Sequence, residues 1–145
     1  MSLFSLLSVS ASGMAAQRTR AGLLVENLAN SETTRTPEGG PYRRKDAVFA
    51  AEPTDSPFAS VFDTELASSQ TGVTVSQIVQ DGREPERRYL PGHPDADPEG
   101  YVAFPRMNPT EDMVDLMSAT RSYQANVAAI SAVKDMINRS IDLLR

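Results

Sequence analysis

The chain has 145 residues, with ten Pro, eight Gly and no Cys, and carries a formal charge of −5. The lack of cysteine excludes a disulfide framework and a thiolate metal site, and the acidic balance argues against general nucleic-acid binding, which needs a net basic face. At 40% hydrophobic and 6% aromatic, with no Trp, the composition is lean for a compact globule, and no stretch approaches the roughly 20 apolar residues that span a bilayer.

The first segment, MSLFSLLSVSASGMAAQ, has leucines and small residues but no basic n-region. It reads as a retained helix and not as a cleaved leader. Leu3, Leu7, Ser10, Met14, Gln17, Ala21, Leu24 and Leu28 step in fours and threes and keep one stripe on one side. Ser10 and Gln17 soften that stripe and Gly13 lowers propensity, so packing has to stabilise the helix. ENLANSETTRTPEGGPYRRK (26–45) follows. Asn27 and Asn30 fall at the helix end, where Asn takes the left-handed cap conformation or turns its amide onto a free carbonyl.

The middle of the chain, 45–105, is different in kind. GVTVSQIVQD (72–81) alternates with β-branched residues and predicts a strand; Arg87–Leu90 and Tyr101–Phe104 are shorter candidates across the turn PGHPDADPEG. Residues 54–72 read as loop with a helical turn. Three strands are too few for a large core of their own.

The last segment is the most sharply patterned. Asn108-Pro109-Thr110-Glu111 combines a cap, a proline for the first helical position and an acid that closes a capping box. Met113, Leu116, Thr120, Tyr123, Val127, Ile130, Lys134, Ile137, Ile141 and Leu144 then step 3-4 to the end. A helix of about 37 residues would run roughly 55 Å, longer than a domain of this size is wide. Ala119, Ala125, Ala128, Ala129 and Ala132 lie beside the stripe and allow close approach on a second face, so the helix has more than one packing partner.

Chemistry is sparse. Asp95, Asp97, Glu99 and Gly100 match the start of a calcium-binding loop, but the position that should hold a bidentate Glu is Arg106 and Pro98 interrupts the loop, so this is a solvated turn. His93 stands alone between Pro91 and Pro94, short of a zinc site. Arg43-Arg44-Lys45 and Arg87-Arg88 are basic clusters that read as anion contacts or as patches meeting Glu111, Asp112 and Asp115; in an acidic chain the second reading stands. There is no phosphate loop, GxSxG or HExxH. Neither cofactor nor metal is expected, and no enzymatic activity.

SGMAAQRTRAGLLVENLANSETTRTPEGGPYRRKDAVF (12–49) resembles the N-terminal signature of the bacterial flagellar axial proteins of the rod and hook type, an Asn-xx-Asn element leading through Thr and Gly to a Tyr-basic pair. Here these are Asn27 and Asn30, Thr33 and Thr34, Gly39-Gly40 and Tyr42-Arg43-Arg44. GVTVSQIVQD, YLPGHPDADPEGYV and EDMVDLMSATRSYQANVAAISAVKDMI extend the likeness from about Ser12 to Ile141.

The resemblance implies a mainly α fold with a small β module, the N- and C-terminal helices paired as an antiparallel coiled coil around an irregular β-containing middle. Residues 1–32 and 107–145 would form a discontinuous tube-building unit, 33–52 an extended linker and 53–106 a small β/loop module. Leu24, Leu28, Met113, Leu116, Thr120, Tyr123, Val127, Ile130 and Ile137 would carry helix pairing and assembly. Asn27, Asn30, Thr33, Tyr42, Arg43 and Arg44 would set contacts between subunits. The implied function is a structural subunit of the proximal rod, in the periplasm, exported without a cleaved leader. Its partners would be itself, other rod proteins and the flagellar export apparatus, with neither nucleic acid nor membrane insertion. A non-enzymatic helical-hairpin adaptor or chaperone-like binder is the alternative.

Overall fold

A computed structural model describes residues 3–53 and 71–143. The element order is α1 (Leu3–Ala29), β1 (Lys45–Pro53), β2 (Thr71–Gln80), β3 (Glu86–Tyr89), β4 (Tyr101–Phe104) and α2 (Pro109–Asp142). The expected loop at 54–72 falls almost wholly outside the described residues. No described helix is long and apolar enough to cross a membrane.

The two terminal helices lie side by side and antiparallel. Arg20 of α1 meets Asp115 of α2 at 3.1 Å, while Gly13, two turns earlier, faces Asn126, three turns later. A Cβ at Gly13 would come within 3.1–3.3 Å of the Asn126 amide group, so glycine allows the close approach. A Cβ at Gly22 would meet no neighbouring atom within 4 Å beyond its own helix backbone. Opposite outcomes are therefore expected in chemical denaturation: Gly22→Ala stabilises by up to about 1 kcal/mol through helix propensity, whereas Gly13→Leu overpacks the helix pair and costs about 1–3 kcal/mol.

Each helix end is held as its residues suggest, with one exception. At the start of α2, Asn108 Oδ1 accepts from the Thr110 N–H at 3.1 Å and Pro109 takes the first helical position. Glu111 does not close the expected box; the acid drawn inward is its neighbour Asp112, which is 1% exposed. At the end of α1, Asn30 donates its side-chain amide to the Glu26 carbonyl at 2.9 Å. No non-glycine residue among those described has positive φ, so of the two capping routes open to Asn this one is used.

Among the described residues the β-structure consists of two antiparallel ladders of four strands, where three were expected. β1 pairs with β2 from Lys45↔Gln80 to Pro53↔Thr71, with a bulge between Val48 and Phe49; β3 pairs with β4 from Glu86↔Phe104 to Tyr89↔Tyr101. KDAVFAAEP lacks alternation and is rich in alanine, so its strand character comes from pairing with β2 and not from propensity. The β1–β2 ribbon runs back along α1: Lys45 sits at Asn27, and the Val73 N–H donates to Ser12 Oγ at 3.0 Å. In the β3–β4 turn Gly100 is buried at φ 85° and a Cβ there would meet Tyr89 at 2.9 Å.

The core is small. Among the described residues its buried apolar side chains are Ala16, Leu23, Leu24, Tyr42, Val102, Ala119 and Val133, and the polar Asn27 and Asp112 are buried as well.

Candidate assembly surface

α2 presents two longitudinal stripes. The one turned to α1 contains the buried Asp112, Ala119 and Val133 with the half-buried Asn126, Ile130 and Ile137. Small and polar residues, Asp112, Ala119 and Asn126, alternate on it with the branched apolar Ile130, Val133 and Ile137. The larger apolar residues stand on its shoulder and face outward: Met113 is 60% exposed, Met117 57%, Val127 42% and Tyr123 39%. At positions 119/120, 126/127 and 133/134 the inner residue is the earlier one. Of the residues singled out for pairing and assembly, Leu24 is buried, Leu28, Leu116, Ile130 and Ile137 are half-buried, and Met113, Thr120, Tyr123 and Val127 are exposed. A groove of about 310 Å³ runs along the shoulder, lined by Gln17 and Ala21 of α1 and by Ala119, Thr120 and Tyr123 of α2.

At one end of the helix pair the chain leaving α1 is strapped into place. Asn27 is fully buried and treats Lys45 as a strand neighbour would: Nδ2 donates to the Lys45 carbonyl at 2.9 Å, and Oδ1 accepts from the Lys45 N–H at 3.0 Å. The same Oδ1 accepts from the Tyr42 hydroxyl at 2.9 Å. Lys45 Nζ pairs with Glu26 at 2.5 Å. Thr33 donates to Asn30 Oδ1, and its carbonyl accepts from the Tyr42 N–H at 3.0 Å, closing the loop through Gly39-Gly40. Gly39 and Gly40 have φ of 91° and 80°, a conformation that other residues rarely adopt.

Arg44 carries the strap across to α2. Its Nε and Nη2 donate to Asp112 Oδ1 at 3.0 and 2.8 Å, and its Nη1 to Asp46 at 2.5 Å. The Asp112 bonds raise the guanidinium pKa above its already high usual value. Asp112 Oδ2 is buried without a hydrogen-bond partner. Asn27, Asn30, Thr33, Tyr42 and Arg44, singled out as one motif, thus form one intramolecular clasp. Arg43 is exposed beside it. The expected meeting of the basic run with acidic residues of α2 is found at Arg44 and Asp112, 68 positions apart; the member of the clasp that sequence reasoning missed is Glu26, 19 positions from Lys45.

Burial, with the carboxylates of Glu26 and Asp112 adding to it, pushes the Tyr42 hydroxyl up from 10.0 to about 12. A folded-state value above the unfolded one contributes stability that is full below about pH 10 and is lost as pH climbs through 12. The difference absorbance between the wild type and Tyr42→Phe is expected to show a phenolate midpoint near 12, and Tyr42→Phe to flatten the fall in stability between pH 10 and 12. A difference midpoint near 10 would mean that Tyr42 is open to water.

The remaining candidates are engaged within the chain. The Thr34 hydroxyl donates to Asp95 at 2.8 Å, Asp97 accepts from the Glu99 and Tyr101 N–H groups, and His93 Nδ1 accepts from the Asp95 N–H. Among the described residues no group of three or more His, Cys, Asp or Glu is arranged to hold a metal ion.

Residues 99–143, the β4–α2 unit, match the family model for the C-terminal region of flagellar basal body rod FlgEFG proteins. Across the whole length, the chain is similar to the flagellar basal-body rod protein FlgC of Bacillus subtilis, at 40% identity covering 99% of each chain. The protein of the same name from Borreliella burgdorferi is 37% identical over 100% of this chain and 99% of its own. That of Salmonella typhimurium is 34% identical over 99% and 98%. With the likeness running through both helices, the strap and the β-ladders alike, the chain belongs to the flagellar basal-body rod protein FlgC family.

Proposed function

We propose that the chain is a non-enzymatic structural subunit of the proximal rod of the flagellar basal body, polymerising through its terminal helices into the shaft that transmits torque across the periplasm. The observation that carries this reading is the outward apolar shoulder of α2, Met113, Met117, Tyr123 and Val127, on a chain whose relatives are rod proteins over their full length. In this reading 1–32 and 107–145 act as one tube-forming unit whose helices pair as an antiparallel coiled coil, and the β-ladders form the outer module; β1 belongs to that module, since it pairs with β2 across the expected 52/53 boundary. Leu24, Leu28, Leu116, Ile130 and Ile137 support the pair; Met113, Thr120, Tyr123 and Val127 meet neighbouring helices. A heterologous contact that does not close into a ring builds a filament. Copies of itself, other rod proteins and the flagellar export apparatus are its partners.

Complementation tests the reading. In a host lacking its own FlgC, the wild-type chain is expected to restore swimming and rods in isolated basal bodies. Tyr123→Asp/Val127→Asp, which changes only exposed side chains, is expected to stay folded and abolish both. Full swimming by the double variant would sink the shoulder as an assembly face; failure of the wild type would sink the rod reading itself.

A further inference from the structure

The outward shoulder of α2 carries two thioethers, and their reactivity is separate from their packing. Among the described residues Met14 and Met107 are half-buried, whereas Met113, Met117 and Met136 are exposed. Met113 and Met117 stand four residues apart, about 40° round the helix from one another, on the side that also carries Val127 and Tyr123. Met136 is 48% exposed but lies about 140° round from Met113, on the far side of α2. The chain therefore presents the same open side chain at two kinds of place, a pair on the shoulder and a single one away from it.

We propose that Met113 and Met117 form a paired oxidation site through which a hydroperoxide blocks assembly of the free subunit, an inference that rests on the shoulder being an assembly face. Each sulfur lone pair takes the terminal oxygen of the peroxide. An S–O bond forms as the O–O bond breaks, and the proton on the transferred oxygen passes to the departing one. Sulfur is oxidised by two electrons, and hydrogen peroxide leaves as water. The Tyr123 ring and the Val127 methyls offer no thioether, so of the four shoulder residues the pair alone is converted. Each sulfoxide sets a polar, chiral group on a surface that is otherwise apolar there. Covering an oxygen that finds no donor costs what any buried unpartnered polar group costs, and two of them weaken association at least about tenfold. A neighbouring helix laid over the pair shields both sulfurs, so the site acts before assembly and not after it. At Met136 the same chemistry falls on the far side and leaves assembly alone.

The test has two arms. Hydrogen peroxide added to the purified full chain, followed by peptide mass mapping, is expected to oxidise Met113, Met117 and Met136 several-fold faster than Met14 and Met107. The unfolding midpoint should hold until the half-buried pair reacts. Oxidation of Met113 and Met117 no faster than that of Met14 and Met107 would overturn the proposal. Assembly is read in the host lacking its own FlgC, with Gln standing for the polar sulfoxide and Leu for the apolar thioether. M113Q/M117Q is expected to yield at least about tenfold fewer rods in isolated basal bodies than M113L/M117L, while M136Q assembles as the wild type does. Equal yields from the Gln and Leu pairs would overturn the proposal, and so would a loss in M136Q as large as in M113Q/M117Q. Normal rods from Tyr123→Asp/Val127→Asp, or none from the wild type, would instead strike the assembly reading, and this inference with it.

Discussion

Arg44→Leu is expected to destabilise the protein by about 3 kcal/mol, a large share of the 5–15 kcal/mol by which domains of this size are stable. The cause lies with the partner left behind. Asp112 is 1% exposed, its Oδ1 accepts both Arg44 bonds, and its Oδ2 has no hydrogen bond to fall back on. Removing the guanidinium leaves a carboxylate buried and uncompensated, which costs about 3–5 kcal/mol where desolvation is complete. The Arg44 side chain keeps 22% exposure, which places the effect at the low end. Arg20→Leu supplies the contrast, because Arg20 and Asp115 pair with side chains 32% and 42% exposed and water screens them; under about 1 kcal/mol is expected there. Arg44→Leu/Asp112→Leu should recover most of the single-variant loss, since no charge is then stranded. Urea denaturation of the four proteins decides the point: equal losses for the Arg44 and Arg20 variants would mean that the clasp does not hold α2.

The second large effect is at Asn27. Asn27→Leu keeps the volume but strands the Lys45 N–H, the Lys45 carbonyl and the Tyr42 hydroxyl at once. At about 1–3 kcal/mol for each buried group left unsatisfied, discounted because Lys45 is only half-buried, about 3 kcal/mol is expected. Amide hydrogen exchange gives a sharper readout than stability alone: the Lys45 N–H should lose its protection while the Asp81 N–H, bonded to the Arg44 carbonyl at 2.8 Å, loses less. Asn27→Asp keeps the two acceptor bonds but turns a carboxylate toward the Lys45 carbonyl, beside Glu26. It should therefore also destabilise while keeping the Lys45 N–H protected; protection of Lys45 as in the wild type in Asn27→Leu would remove Asn27 from the clasp.

Local pattern revealed the elements that pattern builds. The cap and proline at Asn108-Pro109 mark the start of α2, and the alternation in TGVTVSQIVQ marks β2 within a residue. β1 escaped because its alanines carry no period, and its partner strand begins 18 positions after it ends. The facing of α2 was displaced for a different reason. Large apolar side chains attract the eye to a seam, yet a closely packed pair turns Ala119 and Asn126 inward and leaves Tyr123 and Val127 outside. Asn27 and Asn30 look like twins three apart, but only Asn30 caps; Asn27 is committed to Lys45, and nothing local in the sequence distinguishes them.

The outward shoulder of α2 also makes temperature a control variable. Contacts made by burying methionine, tyrosine and valine draw their free energy near 25 °C mainly from the entropy of released water, and that contribution weakens on cooling. Whatever covers Met113, Met117, Tyr123 and Val127 should be held more tightly in the warm than in the cold, with a negative heat-capacity change on association as its calorimetric signature. A chilled preparation should then favour the free subunit, and gentle warming should restore the association without any change in salt or pH.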